Sequence, residues 1–356
     1  MRIHFVTTKL GDGSGGAIYD RNFYKILLEI YPGVKLFDDE FFLSRDKKIG
    51  QHINFWKFND IYKQHLKELM NCDYLVINSR LYTRFIKLDF ADSMRRYSDV
   101  KLIVIHHHNN YMTHAGVMRI IHKYFEMRIL KCAEWLVIPN QYVIDELQDH
   151  YHFNNFCFLP SSFEKKKYNA SSLDHGRILF VGNVEKRKGL IYGLKAFHFF
   201  YLKNKNYQFV IAGRYDKDSL YFKRLNRYIK KNHLEHAVLF EGRVTNARLD
   251  WLYSNSDLFL FPSLLEGYGW VMMEAMARGV PVIAFRNSSM PYTVKSNYNG
   301  MLVDNRCWKK MGRALNLIED KKWLRKMQQG ALATYHKAPS QKELNKKTKL
   351  FIQSWK

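Results

Sequence analysis

Two carboxylates with seven residues between them, set among glycines and aromatics, are the residues here best placed to do chemistry. They are Glu266 and Glu274 in LFLFPSLLEGYGWVMMEAMARGVPVIAF. LFLF reads as a buried strand that runs into a loop holding Glu266, Gly267, Tyr268 and Gly269. A helix is expected to begin near Trp270, carry Glu274 in its second turn and stop at Gly279. Glycines let backbone N–H groups approach a ligand closely, and a helix N-terminus favours an anion. One carboxylate in the loop and one a turn inside the helix would reach different parts of one elongated ligand. The plainer alternative is a charge at a helix start and a solvated glutamate.

Three other stretches carry candidate chemistry. In GDGSGG, Gly11, Gly13 and Gly16 satisfy G-x-G-x-x-G, and Asp38 and Asp39 follow the strand-like GVKLF. That is the pattern of a dinucleotide-binding βαβ unit. The pattern wants its glycines directly after the strand, whereas TTKL intervenes here. KLIVIHHHNN ends a strand on His106, His107 and His108. Neighbours on an extended strand point to opposite faces, which is poor geometry for a metal. Asp216 and Asp218 form a D-x-D, but a helix follows directly, so Asp218 is expected to be its N-cap.

The elements that must position these residues are read from periodicity. The chain has 356 residues, enough for two domains with full cores. Short apolar runs alternate with amphipathic stretches, which implies parallel sheets covered by helices. In the first half strands are expected at 2–7, 34–37, 73–78, 101–106 and 135–139, with helices at about 16–30, 59–70, 114–132 and 141–149. The polar run PSSFEKKKYNASSLDHG reads as a linker. After it RILFVG, QFVIAG, AVLFEG, LFLFPS, PVIAF and GMLVD read as strands, with helices from Lys188 to about Asn204 and over 218–231. The expected fold class is therefore α/β: two Rossmann-like, doubly wound parallel-sheet domains facing across a cleft. Their boundaries are expected at 1–165 and 175–340, with a helix over about 340–356 able to pack back on the first.

Charge is unevenly placed. Net charge is +24; residues 1–170 hold 24 Lys+Arg against 19 Asp+Glu, and residues 171–356 hold 33 against 14. Such a field attracts phosphate-rich partners without choosing among them. No base-reading motif is present, so nucleic acid is not expected as a partner. No long apolar span or secretory leader is readable, and Cys72, Cys132, Cys157 and Cys307 are scattered, so a cytoplasmic protein with free thiols is expected. The stretch 111–131 mixes Met112, Val117, Met118, Ile121, Phe125 and Ile129 with Arg119, Lys123, Arg128 and Lys131. It reads either as a helix packed on the sheet or as a basic amphipathic helix for an anionic membrane surface.

The E-x7-E run followed by EAMARGVPVIA resembles the signature of the GT-B-fold retaining glycosyltransferases of family 4. ILFVGNVEKRKGL resembles the first strand and phosphate loop of that family's nucleotide domain, VLFEGRVTNARLDWLYSNSDLFLFPSLLEGYG follows its element order, and YNGMLVD matches its later strand. The resemblance spans about Arg177 to Asp304 and is looser before it. It implies a GT-B enzyme moving a sugar from a UDP- or GDP-linked donor to a glycan or lipid-linked acceptor, with no cofactor and no metal. It implies that Glu274 holds the ribose and that Glu266, with the backbone at Gly267, Tyr268, Gly269 and Trp270, faces the donor sugar and diphosphate. Lys188 would neutralise the diphosphate, and Gly15 and Gly16 would meet it from across the cleft. Gly182, Asn183, Arg187, Arg214 and Arg243 would line the nucleotide side. A donor-sugar histidine is implied after the KLIVI strand, with His108 favoured and His106 second. Two positions depart from the family: Asn183 stands where an arginine is usual, and Tyr292 where a glutamate often follows proline. Arg187 or Arg214 could supply the missing cation. The competing readings are a catalytically weak GT-B nucleotide-binding subunit and an NAD(P)-dependent Rossmann oxidoreductase.

Overall fold

The computed structural model describes residues 1–8, 10, 15–45, 64–82, 90–168, 170, 172 and 174–355. The expected loop glycines Gly11 and Gly13, and the first part of the helix expected at 59–70, lie outside the described residues. The chain forms two units, Met1–Glu164 with Pro339–Lys356, and Lys165–Ala338.

The first unit has six parallel strands: β1 (Ile3–Val6), β2 (Lys35–Phe37), β3 (Tyr74–Asn78), β4 (Lys101–Ile105), β5 (Ala133–Ile138) and β6 (Phe156–Phe158). They lie in the order β2-β1-β3-β4-β5-β6. Each central strand is an unbroken apolar run because both sheet faces are covered. Ile77, Val104 and Leu136 pack on one side with Leu130 and Leu147. Phe5, Val76, Ile103 and Val137 pack on the other with Phe23 and Leu27 of the helix Gly15–Ile30. The three-residue β6 and the seven-residue helix Phe90–Arg96 are absent from the sequence expectations, since each is too short for its periodicity to stand out.

The chain returns to this unit at its C-terminus. Phe163 and Ser340 bridge, and Ser340 opens the helix Gln341–Gln353 with a capping box to Glu343. That helix lies along Gly15–Ile30, where Lys349 pairs with Glu29 at 2.7 Å. Leu344, Ile352 and Trp355 join the core, and the Trp355 ring stacks on Tyr74 at 5.2 Å.

The second unit has β7 (Arg177–Val181), β8 (Gln208–Ala212), β9 (Val238–Gly242), β10 (Leu258–Phe261), β11 (Val282–Phe285) and β12 (Gly300–Val303), all parallel, in the order β12-β11-β10-β7-β8-β9. The expected helix from Lys188 starts later, at Leu190, because Gly189 turns into the left-handed region and leaves Lys186–Lys188 as a separate 3₁₀ turn. Ser219 rather than Asp218 caps the helix Leu220–Lys231, its hydroxyl accepting the Phe222 N–H at 3.2 Å. Asp218, one residue too early, lies instead 3.5 Å from Lys223.

In both sheets the order reverses at one place, between β1 and β3 and between β7 and β10. In open α/β sheets ligands bind beyond the strand carboxyl ends at such points. If the terminal helix belongs to the first core, Trp355→Ala will cost about 3–5 kcal/mol in urea unfolding. An unchanged unfolding midpoint would refute that placement.

Candidate functional site

In the second unit, the loops after β7 and β10 close on each other through backbone. Leu264 N–H donates to the Arg187 carbonyl at 2.8 Å, and the Ser263 hydroxyl lies 3.4 Å from the same oxygen. Gly189, at φ 62°, sits so close to Pro262 that a Cβ there would lie 2.0 Å from the Pro262 carbonyl oxygen. This contact puts the buried Lys188 beside β10. Its ammonium stands 5.3 Å over the Phe261 ring and forms an ion pair with Glu266. The two side chains are only 11% and 15% exposed. Charges removed from water need a partner, and each is the other's.

Arg187 adds a second cation. Its guanidinium lies 3.7 Å from Glu266, 3.2 Å from Glu185 and 3.4 Å from the Leu265 carbonyl. Of the two arginines that could stand in for the cation missing at Asn183, Arg187 is the one brought to Glu266. Arg214 is exposed and contributes its carbonyl to Val184 N–H at 2.9 Å, while Asn183, also exposed, lies 3.5 Å from Glu185. Arg243 is exposed after β9.

Gly269, at φ 78°, starts the helix Trp270–Ala277. A Cβ there would lie 2.4 Å from Met272 Cε, so the turn that carries Glu266, Gly267 and Tyr268 into the helix wants glycine. Tyr268 and Trp270 set their rings 6.1 Å apart, and burial pushes the Tyr268 phenol up to about 12. Inside the helix, Glu274 accepts the Tyr253 hydroxyl at 2.8 Å. Burial raises its carboxyl above the usual range, opposed by that hydrogen bond and by Arg278. Arg278 is held by Asp250 and donates to the Glu274 carbonyl at 2.8 Å. One carboxylate oxygen is thus engaged, and the chemistry left to the other is acceptance from hydroxyls.

In the first unit a polar network lies beyond the carboxyl ends of β1, β3 and β4. The fully buried Asp20 accepts from Asn78 at 3.0 Å and from His107 Nε2 at 2.8 Å, with Arg80 at 3.8 Å. Asn78 also donates to Thr7 at 2.6 Å, Ser79 takes the His107 N–H at 3.1 Å, and Asn140 donates to the His107 carbonyl at 2.9 Å. Gly15 and Gly16 open the neighbouring helix, and a Cβ on Gly16 would lie 3.7 Å from both the His107 ring and Arg80. The anion-binding potential expected of these glycines is therefore placed beside an oriented imidazole.

The three histidines have separate environments. His106, the second choice from sequence, is corrected: it is fully buried between Tyr82 at 2.9 Å and Asn109 at 2.8 Å. The neutral ring satisfies both, Nδ1 accepting from tyrosine and Nε2–H donating to asparagine, and burial pushes its pKa down to about 3. His108 is half-exposed after the strand. His107 was not singled out from sequence. The readable signal was Asp20, an acid on the apolar stripe of Ala17, Phe23 and Leu27 that needs a buried partner. Asp38, which follows β2, caps a helix by accepting the Phe41 N–H at 3.0 Å.

With this geometry, residues 161–332 match the model of the family described as Glycosyl transferases group 1. An uncharacterized glycosyltransferase of Methanocaldococcus jannaschii is 22% identical over 288 residues, 80% of this chain and 73% of that one. Among solved structures, sucrose-phosphate synthase from Thermosynechococcus elongatus superposes with a TM-score of 0.78 at 17% identity, covering 99% of this chain and 98% of that one. Anabaena HepE, in complex with UDP and glucose, gives 0.73 at 16% identity, covering 99% and 100%. The fold is GT-B.

Gly189→Ala must move the Pro262 carbonyl and leave the left-handed region. It is expected to cost about 2 kcal/mol or more in urea unfolding, while Gly33→Ala, with nothing within 4 Å, stays within about 0.5 kcal/mol. Equal behaviour of the two would remove the contact from the account.

Proposed function

We propose that this chain, whose residues 161–332 match the glycosyl transferases group 1 model, moves a hexose from a nucleotide diphosphate sugar to a hydroxyl of a glycan or lipid-linked acceptor with retention of configuration. The observation that carries this reading is the meeting of Lys188 and Arg187 on Glu266 at the β7/β10 reversal, with Glu274 on the helix that starts there. The UDP in the HepE structure supports a uridine-linked donor, and a GDP-linked donor is the other choice.

In this mechanism the anomeric C–O bond breaks toward the β-phosphate, whose oxygen takes the electron pair. Lys188 and Arg187 stabilise the charge that develops there, together with backbone N–H groups at the start of the helix Trp270–Ala277. Fixed positive charge aimed at a leaving group acts more strongly in the transition state than in the ground state. Side-chain cations supply this charge, so the mechanism assigns no metal to the diphosphate. Lys188 and Arg187 exchange Glu266 for phosphate oxygens on binding, which turns Glu266 toward the donor sugar. Glu274 accepts the ribose hydroxyls. The acceptor oxygen bonds to the anomeric carbon on the face the phosphate leaves, and its proton passes to the departing phosphate oxygen. No carboxylate acts as nucleophile, unlike the double displacement of retaining glycosidases. A lipid-linked acceptor would place the reaction at the cytoplasmic face of a membrane. Among the described residues no helix is long and apolar enough to cross one.

Release of nucleoside diphosphate from a panel of UDP- and GDP-sugars tests the reading. Lys188→Ala is expected to lower kcat about 10²–10³-fold, and Glu274→Ala to act mainly on the donor KM. Parallel His107→Ala and His108→Ala variants decide which imidazole the reaction uses. An active wild type indifferent to both Lys188→Ala and Glu266→Ala would overturn the site.

A further inference from the structure

We propose that Tyr253 and Arg278 are positioning residues that hold Glu274 as a carboxylate with one oxygen left for the ribose hydroxyls. The inference rests on the ribose role proposed for Glu274 and adds to it a proton-dependent preference for ribose over deoxyribose.

Two helices supply the parts. Asp250 and Tyr253, three residues apart, share a face of the helix Asn246–Ser254, which precedes β10. Glu274 and Arg278, four apart, share a face at the end of the helix Trp270–Ala277, which follows β10. Where these faces meet, Arg278 Nη1 donates to the Glu274 carbonyl at 2.8 Å and Nε donates to Asp250 at 2.8 Å. The same guanidinium stands 5.1 Å over the Tyr253 ring and 3.9 Å over the ring of Tyr168, a residue of the polar run PSSFEKKKYNASSLDHG. Arg278 is only 7% exposed and Tyr253 only 1%, so both are fixed by neighbours rather than by water. Neither needs to touch a nucleotide to act on it.

The Tyr253 hydroxyl has one proton and two acceptors, Glu274 Oε2 at 2.8 Å and the Val271 carbonyl at 3.3 Å. While Glu274 is ionised, the charged acceptor is both the nearer and the stronger. The other carboxylate oxygen then keeps its lone pairs for the ribose. When Glu274 takes up a proton, the roles reverse: the carboxylic O–H donates to the phenol oxygen, and the phenol turns its own proton to Val271. The group facing the ribose is then neutral and a weaker acceptor. Burial favours that protonated state, while the Tyr253 hydrogen bond and the Arg278 charge oppose it. Tyr253 itself stays a donor, because burial and the Glu274 charge push its phenol well above the usual range. Among the described residues, the charged and titratable groups facing Glu274 are Tyr253 from one helix and Arg278 from its own, with Asp250 behind Arg278.

Calorimetric titration of the full chain with UDP, GDP and their 2′-deoxy forms, from about pH 5 to about pH 8, tests the inference. Glu274→Gln cannot ionise and supplies the baseline for titration of the diphosphate itself. The wild type is expected to prefer the ribonucleotide and to lose that preference as pH falls through the Glu274 titration. Tyr253→Phe keeps the ring in place and should bind the ribonucleotide about fivefold more weakly at neutral pH, with little change for the deoxy form. Its preference should also disappear at a higher pH than in the wild type, because the bond that held the proton off Glu274 is gone. Arg278→Met should shift the profile in the same direction, and urea unfolding of each variant separates these readouts from loss of fold. In turnover, both effects should fall on the donor KM. A wild type that binds neither nucleotide, or Glu274→Gln binding as the wild type does, removes the ribose role of Glu274 and this inference with it. Weakened binding in Glu274→Gln beside wild-type affinity and pH dependence in Tyr253→Phe overturns the inference alone. So does an equal loss for both sugars in Tyr253→Phe, since the hydroxyl would then be only a packing contact.

Discussion

Lys188 holds its ammonium against the Glu266 carboxylate where both side chains are largely out of water. Neither charge could stay there alone, because an isolated ion loses far more hydration than the protein interior returns. The pair in turn depends on a backbone fact. Gly189 lets the β7 loop come within a missing Cβ of the Pro262 carbonyl, and the Arg187 carbonyl accepts from Leu264 across the same seam. Two strands far apart in sequence, adjacent in the sheet, thus deliver opposite charges to one point.

That arrangement explains how a loop without the usual arginine can keep two cations. Asn183 carries no charge, but the 3₁₀ turn Lys186–Lys188 puts Arg187 and Lys188 on the same carboxylate. A diphosphate brings more negative charge than Glu266 does and accepts several hydrogen bonds at once, so it can replace the carboxylate as the cations' partner. The first unit uses another device with the same purpose. Asp20 fixes His107 by a 2.8 Å bond and is itself fixed by Asn78, so the imidazole is oriented through one helix and one strand.

The sheets were legible because buried parallel strands are continuous apolar runs, and RILFV, LFLF and VIAF have no other economical reading. The glycine at 269 was legible for an equally local reason. Phe156–Phe158 was not, since three residues are too few for an alternation to stand out. Among three adjacent histidines, sequence alone could not say which one Asp20 would meet, because that depends on how the helix Gly15–Ile30 packs on β4. The choice between Arg187 and Arg214 was likewise hidden, since the turn at Gly189 sets where the Arg187 side chain goes. Local chemistry was readable, and side-chain partnership across elements was not.

The central claim is that Lys188 must give up Glu266 to take a diphosphate. Calorimetric titration of UDP and GDP into the wild type, Glu266→Gln and Lys188→Ala tests it most directly. Removing the competing carboxylate charge should tighten binding of the preferred nucleoside diphosphate in Glu266→Gln, and Lys188→Ala should lose most of it. Weaker binding in Glu266→Gln, or undiminished binding in Lys188→Ala, would contradict the account.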